Sequence, residues 1–304
     1  EHFQTGIFAA LNEKKEELLA SGKKIYNLSV GTPDFPVFDH IRKALMEAAQ
    51  DPEKYHYTLR DLPELHEAVK DYYKKRFDVE ISTDEIVAVP GSQEGVAHLG
   101  LTLCNPGDVV LLPNPGYPVF EVGAYLGGAE LYFYELREEN DFLPKFDEIP
   151  EDIARRAKYI MVSYPYNPVC AVAPASFYEE LIAYAKKYNI IVVHDNAYSD
   201  IIYDGVRGGS FLEFPGAKEV GIECFSLSKS FNLTGARVSF MIGNREIIDA
   251  VKLLRSQYDF GIFEPIQRAA IAALEGPLEP VREQCARYQE RRDALCGGLR
   301  SLGW

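Results

Sequence analysis

The 304-residue sequence has little cysteine and uses it without pattern. Cys104, Cys170, Cys224, Cys285 and Cys296 are scattered, odd in number and never spaced C-x-x-C. That excludes a disulfide framework and gives no metal site, and it points to a reducing, cytoplasmic setting. Cations are also in deficit: 32 Lys and Arg stand against 46 Asp and Glu, a net charge of -14. A general nucleic-acid surface needs clustered Lys and Arg, so nucleic acid is not an expected partner. No apolar run approaches the length of a membrane span, and the first residues read as an amphipathic polar segment rather than a signal peptide. Neither G-x-G-x-x-G nor G-x-x-x-x-G-K-[ST] occurs, which removes the main support for dinucleotide and P-loop readings.

What the chain does have is alternation. Apolar runs at 85–89 (EIVAV), 109–113 (VVLLP), 129–136 (AELYFYEL), 159–165 (YIMVSYP), 190–196 (IIVVHDN), 223–228 (ECFSLS) and 238–243 (VSFMIG) predict seven strands. Several are continuously apolar, as expected of strands covered on both faces. Between them lie helix patterns. Ser176 and Glu179 read as a capping box opening a helix with Phe177, Leu181, Ile182, Ala185 and Tyr188 along one side. Asn244 opens another in a similar way, and residues 266–304 read as further helices. Strands alternating with helices predict an α/β fold with a mostly parallel seven-stranded sheet sandwiched by helices.

Ligands of such sheets bind beyond the carboxyl ends of the strands, so the residues that follow each strand are informative. They are PGSQEG after 85–89, NPGYP after 109–113, YNP after 159–165, HDNAY at the end of 190–196, and Lys229 after 223–228. Singly, each has a structural reading: Asp195 as a helix cap, Asn167 before Pro168 as a turn, Tyr117 as a loop aromatic. Together they suit a planar heteroaromatic aldehyde carrying a phosphate. An imine needs an amine nucleophile, Lys229. A phosphate needs helix-end amides, hydroxyls and a guanidinium, supplied by Gly91, Ser92, Gln93, Ser226 and Arg237. A pyridinium nitrogen needs a carboxylate such as Asp195, and the ring needs an aromatic such as Tyr117 to stack on it.

These motifs resemble the class I/II aminotransferases among the fold-type I pyridoxal-phosphate enzymes, from NLSVGTPDFP to the end of the chain. SLSKSFNLTGAR resembles the S-x-S-K…G-x-R signature of that family, which implies that Lys229 is the imine lysine and that Ser226 and Arg237 hold the phosphate. HDNAY resembles its D-x-x-Y, implying that Asp195 meets the pyridine nitrogen and Tyr198 the phenolic oxygen of pyridoxal 5'-phosphate. YPYNP implies that Asn167 binds the same oxygen, PGSQEG fits the phosphate turn and NPGYP the stacking aromatic. VGTPDF resembles the segment whose glycine, here Gly31, approaches the substrate carboxylate, and YHYTLRDLPEL the one that sends a tyrosine, Tyr57 or else Tyr55, to the phosphate of a partner subunit. GSQEGVAHLGL and YDFGIFEPIQRAAIAAL lean toward the diaminopimelate-type subgroup.

The resemblance therefore implies an aminotransferase acting on an amino acid and a 2-oxo acid, and a homodimer with shared sites. A carbon–sulfur β-lyase or an idle ligand-sensing domain would carry similar motifs. It divides the chain into a small-domain segment at 1–38, a large cofactor-binding domain at 39–280 and a connecting helix at 281–304. The rest of a C-terminal small domain, with the arginine that clamps the substrate carboxylate, is expected to lie beyond Trp304. The chain also departs from the family pattern. Val169 and Cys170 follow the Asn-Pro pair where Thr-Gly is usual, and Ser239 stands where a glycine commonly follows the phosphate arginine. Arg60 is expected to pair locally with Asp61.

Overall fold

The computed structural model describes residues 6–304. A break after Asp34 separates an N-terminal unit, which holds helix α1 (Ile7–Ala20), from the unit Phe35–Trp304. The larger unit is built on seven strands: β1 (Ile86–Val89), β2 (Val109–Asn114), β3 (Glu130–Glu135), β4 (Ala157–Ser163), β5 (Ile191–Asn196), β6 (Gly221–Ser226) and β7 (Ser239–Gly243). They form one sheet in the order β1-β7-β6-β5-β4-β2-β3. Strand β7 pairs antiparallel with both β1 and β6, and the other pairings are parallel. All seven predicted strands are present, as is the mostly parallel sheet. Two strands end two residues earlier than expected. Strand β4 stops at Ser163 because Pro165, which has no N–H, cannot continue a ladder. Strand β6 stops at Ser226, whose side chain accepts from the Ser228 N–H and turns the chain into a helical turn.

Helices α2 (Asp39–Ala49), α3 (Pro63–Phe77), α4 (Ser92–Leu103), α5 (Val119–Leu126), α6 (Glu151–Arg156) and α7 (Ala175–Tyr188) precede β5. Helices α8 (Ala217–Val220), α9 (Leu227–Ser230), α10 (Arg245–Tyr258), α11 (Glu264–Glu275) and α12 (Glu279–Ser301) follow it. Successive strand residues feed two cores. Ile86, Ala88, Val192 and Phe225 pack with α2, α3, α7 and α11 on one face. Val87, Val89, Val193 and Cys224 pack with α4, α5 and α10 on the other. This is the period of two of a pleated strand, with apolar side chains in both directions.

Asn244 caps α10 as expected, accepting from the N–H groups of Glu246 and Ile247 at 3.1 and 3.3 Å. The expected Ser176–Glu179 capping box is not formed. Pro174 occupies the cap position and α7 begins at Ala175, so Ser176 already lies inside the first turn. On the other face, α4 and α5 approach backbone to backbone: a Cβ on Gly100 would collide with the Gly123 carbonyl, and one on Gly123 with that of Val96. Only residues without a side chain permit that contact.

Candidate active site

Because β7 alone runs against the sheet, residues just before it sit at the same edge as residues just after β1, β4, β5 and β6. Gly91, Asn167, Asp195, Tyr198, Lys229 and Arg237 therefore belong to one edge, although 146 positions separate the first from the last. This is the carboxyl end of the parallel strands, where open α/β sheets bind ligands.

Asp195 is the sixth-strand neighbour of Cys224 and the fourth-strand neighbour of Ser163, on the α4 side of the sheet. Its Oδ1 is sealed from solvent and has no hydrogen-bond partner. Burial pushes its carboxyl up to about 6; the charge of His194 opposes the shift and that of Glu223 adds to it. A buried carboxylate oxygen without a donor costs free energy unless something supplies one. A protonated ring nitrogen is such a donor, and this atom is the observation that fits the chain to pyridoxal phosphate.

Lys229 follows β6 in the one-turn helix α9. Its amine stands 6.0 Å from the centre of the Tyr198 ring. Burial pushes its ammonium pKa down, and the nearby Arg237 charge pushes the same way, so a larger share is the neutral nucleophile. The next residue fixes this turn: Ser230 donates to Asp200 Oδ2 at 2.9 Å, and Arg76 holds the other oxygen of Asp200 at 3.0 Å. Sequence reasoning missed this brace, since nothing in the spacing of Asp200, Ser230 and Arg76 announces it.

Asn167 hydrogen-bonds the phenol of Tyr198. Burial, then the charge of Asp195, pushes that phenol up to about 12, so it stays a donor at neutral pH. Tyr117 donates to Gln93 Oε1 at 3.1 Å, which ties the aromatic after β2 to the turn after β1. Burial, then Asp195, raises the Tyr117 phenol as well.

Gly91 has φ +93 and caps α4; a Cβ there would collide with the Arg237 guanidinium. Arg237 itself has φ 52 and donates to the Thr234 carbonyl at 2.8 Å. The guanidinium thus lies on bare backbone at the start of a twelve-residue helix whose first residues are Ser92 and Gln93. Helix-end amides, hydroxyls and a guanidinium are the donor types that a phosphate requires. Ser226 lies beside it, its Oγ 3.0 Å from that of Ser239.

Gly31 belongs to the N-terminal unit and is exposed. Tyr57 is 80% exposed and meets Phe260 at a tilt of 42° with centroids 4.8 Å apart, while Tyr55 donates to the Ala49 carbonyl at 2.9 Å. The local pair expected of Arg60 is not formed: Asp61 accepts from the Ala88 N–H at 2.8 Å and meets His66 at 3.0 Å. Largely buried beside the edge strand β1, the Asp61 carboxylate takes these partners rather than an exposed guanidinium. Among the described residues no group of three or more His, Cys, Asp or Glu could hold a metal, and no helix is long and apolar enough to cross a membrane.

The family "Aminotransferase class I and II" matches residues 23–304. The LL-diaminopimelate aminotransferase of Moorella thermoacetica is 44% identical over 300 residues, which cover 98% of this chain and 77% of that one. The enzyme of the same name from Syntrophobacter fumaroxidans is 44% identical over 299 residues, with the same shares covered. Among solved structures, substrate-bound BacF from Bacillus subtilis matches with a TM-score of 0.94 and 39% identity, covering 100% of this chain and 77% of that one. The chain belongs to the class I and II aminotransferases. It is a fold-type I enzyme dependent on pyridoxal phosphate that transfers an amino group between an amino acid and a 2-oxo acid.

Proposed function

We propose that the edge built by Gly91, Ser92, Gln93, Tyr117, Asn167, Asp195, Tyr198, Ser226, Lys229 and Arg237 is where this chain holds pyridoxal phosphate, with LL-diaminopimelate as its amino donor. The sealed, partnerless Oδ1 of Asp195 carries the cofactor assignment. The two relatives at 44% identity support the donor, as each is named for it. Amino transfer is favoured over the β-elimination and ligand-sensing alternatives by the same names.

When bound, the pyridinium ring supplies an electron sink for the negative charge that develops at the substrate α-carbon. The protein supplies the rest. Asp195, ionised above about pH 6, accepts the ring N–H and keeps that proton in place. Tyr198 and Asn167 donate to the phenolic oxygen, and Tyr117 covers one face of the ring. The Gly91–Gln93 amides, the Ser226 hydroxyl and the Arg237 guanidinium hold the phosphate dianion. Lys229 would serve first as the nucleophile that holds the aldehyde. Once free, its amine would act as the base that takes the substrate α-carbon proton and as the acid that returns it. Burial and the Arg237 charge, which lower the ammonium pKa, favour the neutral amine that this work needs.

The assembly is a homodimer on this reading, with Tyr57 reaching the phosphate of a second copy and Gly31 lying at the substrate carboxylate. Tyr57 is preferred to Tyr55 because the hydroxyl of Tyr55 is engaged within its own chain. Exposed Tyr57, Leu59 and Phe260 give the second copy an apolar seat. Residues 1–38 and 281–304 serve a small domain and 39–280 the large one, in a cytoplasmic enzyme.

The test is reconstitution of the purified chain with pyridoxal phosphate, followed by borohydride reduction and peptide mapping. A reduced adduct on Lys229, with amino transfer from LL-diaminopimelate to 2-oxoglutarate, is expected. A label elsewhere overturns the site, and transfer from other amino acids alone overturns the donor.

A further inference from the structure

We propose that Ser239 is a positioning residue for the cofactor phosphate, acting by aiming the hydroxyl of Ser226. The inference rests on the reading that this edge holds pyridoxal phosphate, and it concerns the position where the chain carries serine in place of the family's usual glycine.

Ser239 is the first residue of β7, and β7 lies between β1 and β6. It is therefore in register with two strand ends at once, Val89 of β1 and Ser226 of β6. Two residues beyond Val89 comes Gly91, and two residues before Ser239 comes Arg237, whose guanidinium would collide with any Cβ on Gly91. The three chain segments of the anion cradle converge on this one residue. Ser239 is 0% exposed, so no solvent competes for its hydroxyl.

Its hydroxyl donates to Ser226 Oγ at 3.0 Å. The Ser228 backbone N–H donates to the same oxygen at 3.2 Å. A serine oxygen accepts through two lone pairs and donates through one hydrogen. With both lone pairs engaged, the remaining Ser226 hydrogen is committed to donation along the third direction. A glycine at 239 would leave one lone pair open and the hydroxyl free to rotate away from an anion. Ser239 thus touches no ligand and contributes no charge; it removes the orientations in which Ser226 would face a phosphate oxygen with a lone pair. Charge-assisted bonds to phosphate are the strong class, so aiming one of them is measurable.

The experiment compares two ligands that differ only in the phosphate. The cofactor-free full chain is titrated with pyridoxal 5'-phosphate and with pyridoxal, following absorbance, for wild type, Ser239→Ala, Ser226→Ala and the double variant. Loss of one aimed hydrogen bond predicts a rise of about fivefold in the dissociation constant of pyridoxal 5'-phosphate for Ser239→Ala. The constant for pyridoxal stays unchanged, and in the Ser226→Ala background Ser239→Ala adds no further loss. The inference is overturned if both ligands weaken equally, which is what a merely structural serine would do, or if the two substitutions add. Should Ser239→Ala fail to fold, Ser239→Gly carries the same comparison, because β7 then keeps the residue usual in the family. A wild-type chain that binds neither ligand overturns the cofactor site itself, and this inference with it.

Discussion

Asp195 on β5 and Glu223 on β6 are carboxylates on adjacent strands, facing opposite sides of one sheet, and the fold treats them in opposite ways. Glu223 is 0% exposed and accepts four hydrogen bonds: from Tyr73 at 2.7 Å, Ser210 and the Phe211 N–H at 2.8 Å each, and His194 at 2.9 Å. Burial alone would raise its pKa, but the bonds from His194, Tyr73 and Ser210 outweigh that and hold it below the ordinary value. Asp195 has an oxygen with no donor and a pKa pushed up. The chain has saturated the charge that holds its own strands together and left unsaturated the one that faces the ligand edge. Unpaired buried charge survives selection where a ligand completes it.

The strongest break of this contrast is at Lys229, the proposed covalent partner of the cofactor that would complete Asp195. Lys229→Ala should reduce amino transfer by roughly 10⁴-fold or more, assayed by product formation, while the urea unfolding midpoint of the cofactor-free chain stays put. Glu223→Gln should cost about 3 kcal/mol of stability at pH 7 by urea titration, since it strips charge from a saturated site and leaves His194 facing an amide. The sign with pH follows from its lowered pKa: its contribution is present above the ordinary glutamate range and is lost only as pH falls below it.

Asp195→Asn should do the reverse. With a folded pKa raised to about 6, the wild-type carboxyl favours the fold when protonated, and that contribution is lost as pH rises through about 6. The cofactor-free variant should therefore be more stable than wild type at pH 8, by on the order of 2 kcal/mol, and indistinguishable from it near pH 4. Its affinity for pyridoxal phosphate should fall at the same time. A variant no more stable at pH 8 would remove the contrast. The smallest effect is expected at Tyr117. Tyr117→Phe breaks a 3.1 Å bond at a half-buried site and should cost less than about 1 kcal/mol, with a modest loss of cofactor affinity by titration.

The ligand side of this contrast was legible in the sequence, and the structural side was not. Asp195 stands at the end of an apolar run and Asn167 and Lys229 just after one, so reading strand ends was enough to collect them on one edge. Arg237 precedes a strand, and it joins the edge only because β7 runs backwards, which apolar periodicity cannot report. Glu223 reads as a polar residue inside an apolar run, and its partners Tyr73, Ser210 and His194 are 150, 13 and 29 positions away. Satisfaction of a buried charge is a long-range property, with no local spacing to betray it. The Ser176 cap failed for a local reason, since Pro174 set the helix start before the serine could.

The glycine contact between α4 and α5 has a mechanical consequence. With carbonyls rather than side chains at the point of closest approach, no rotamer can yield there, so the two helices can shift only as a single piece. One carries the anion turn at its head and the other is led by Tyr117, and the Tyr117–Gln93 bond spans the gap. On the proposed reading, grip on the phosphate and cover over the ring are thereby geared to each other, and any drift that loosens one must slacken the other by the same stroke.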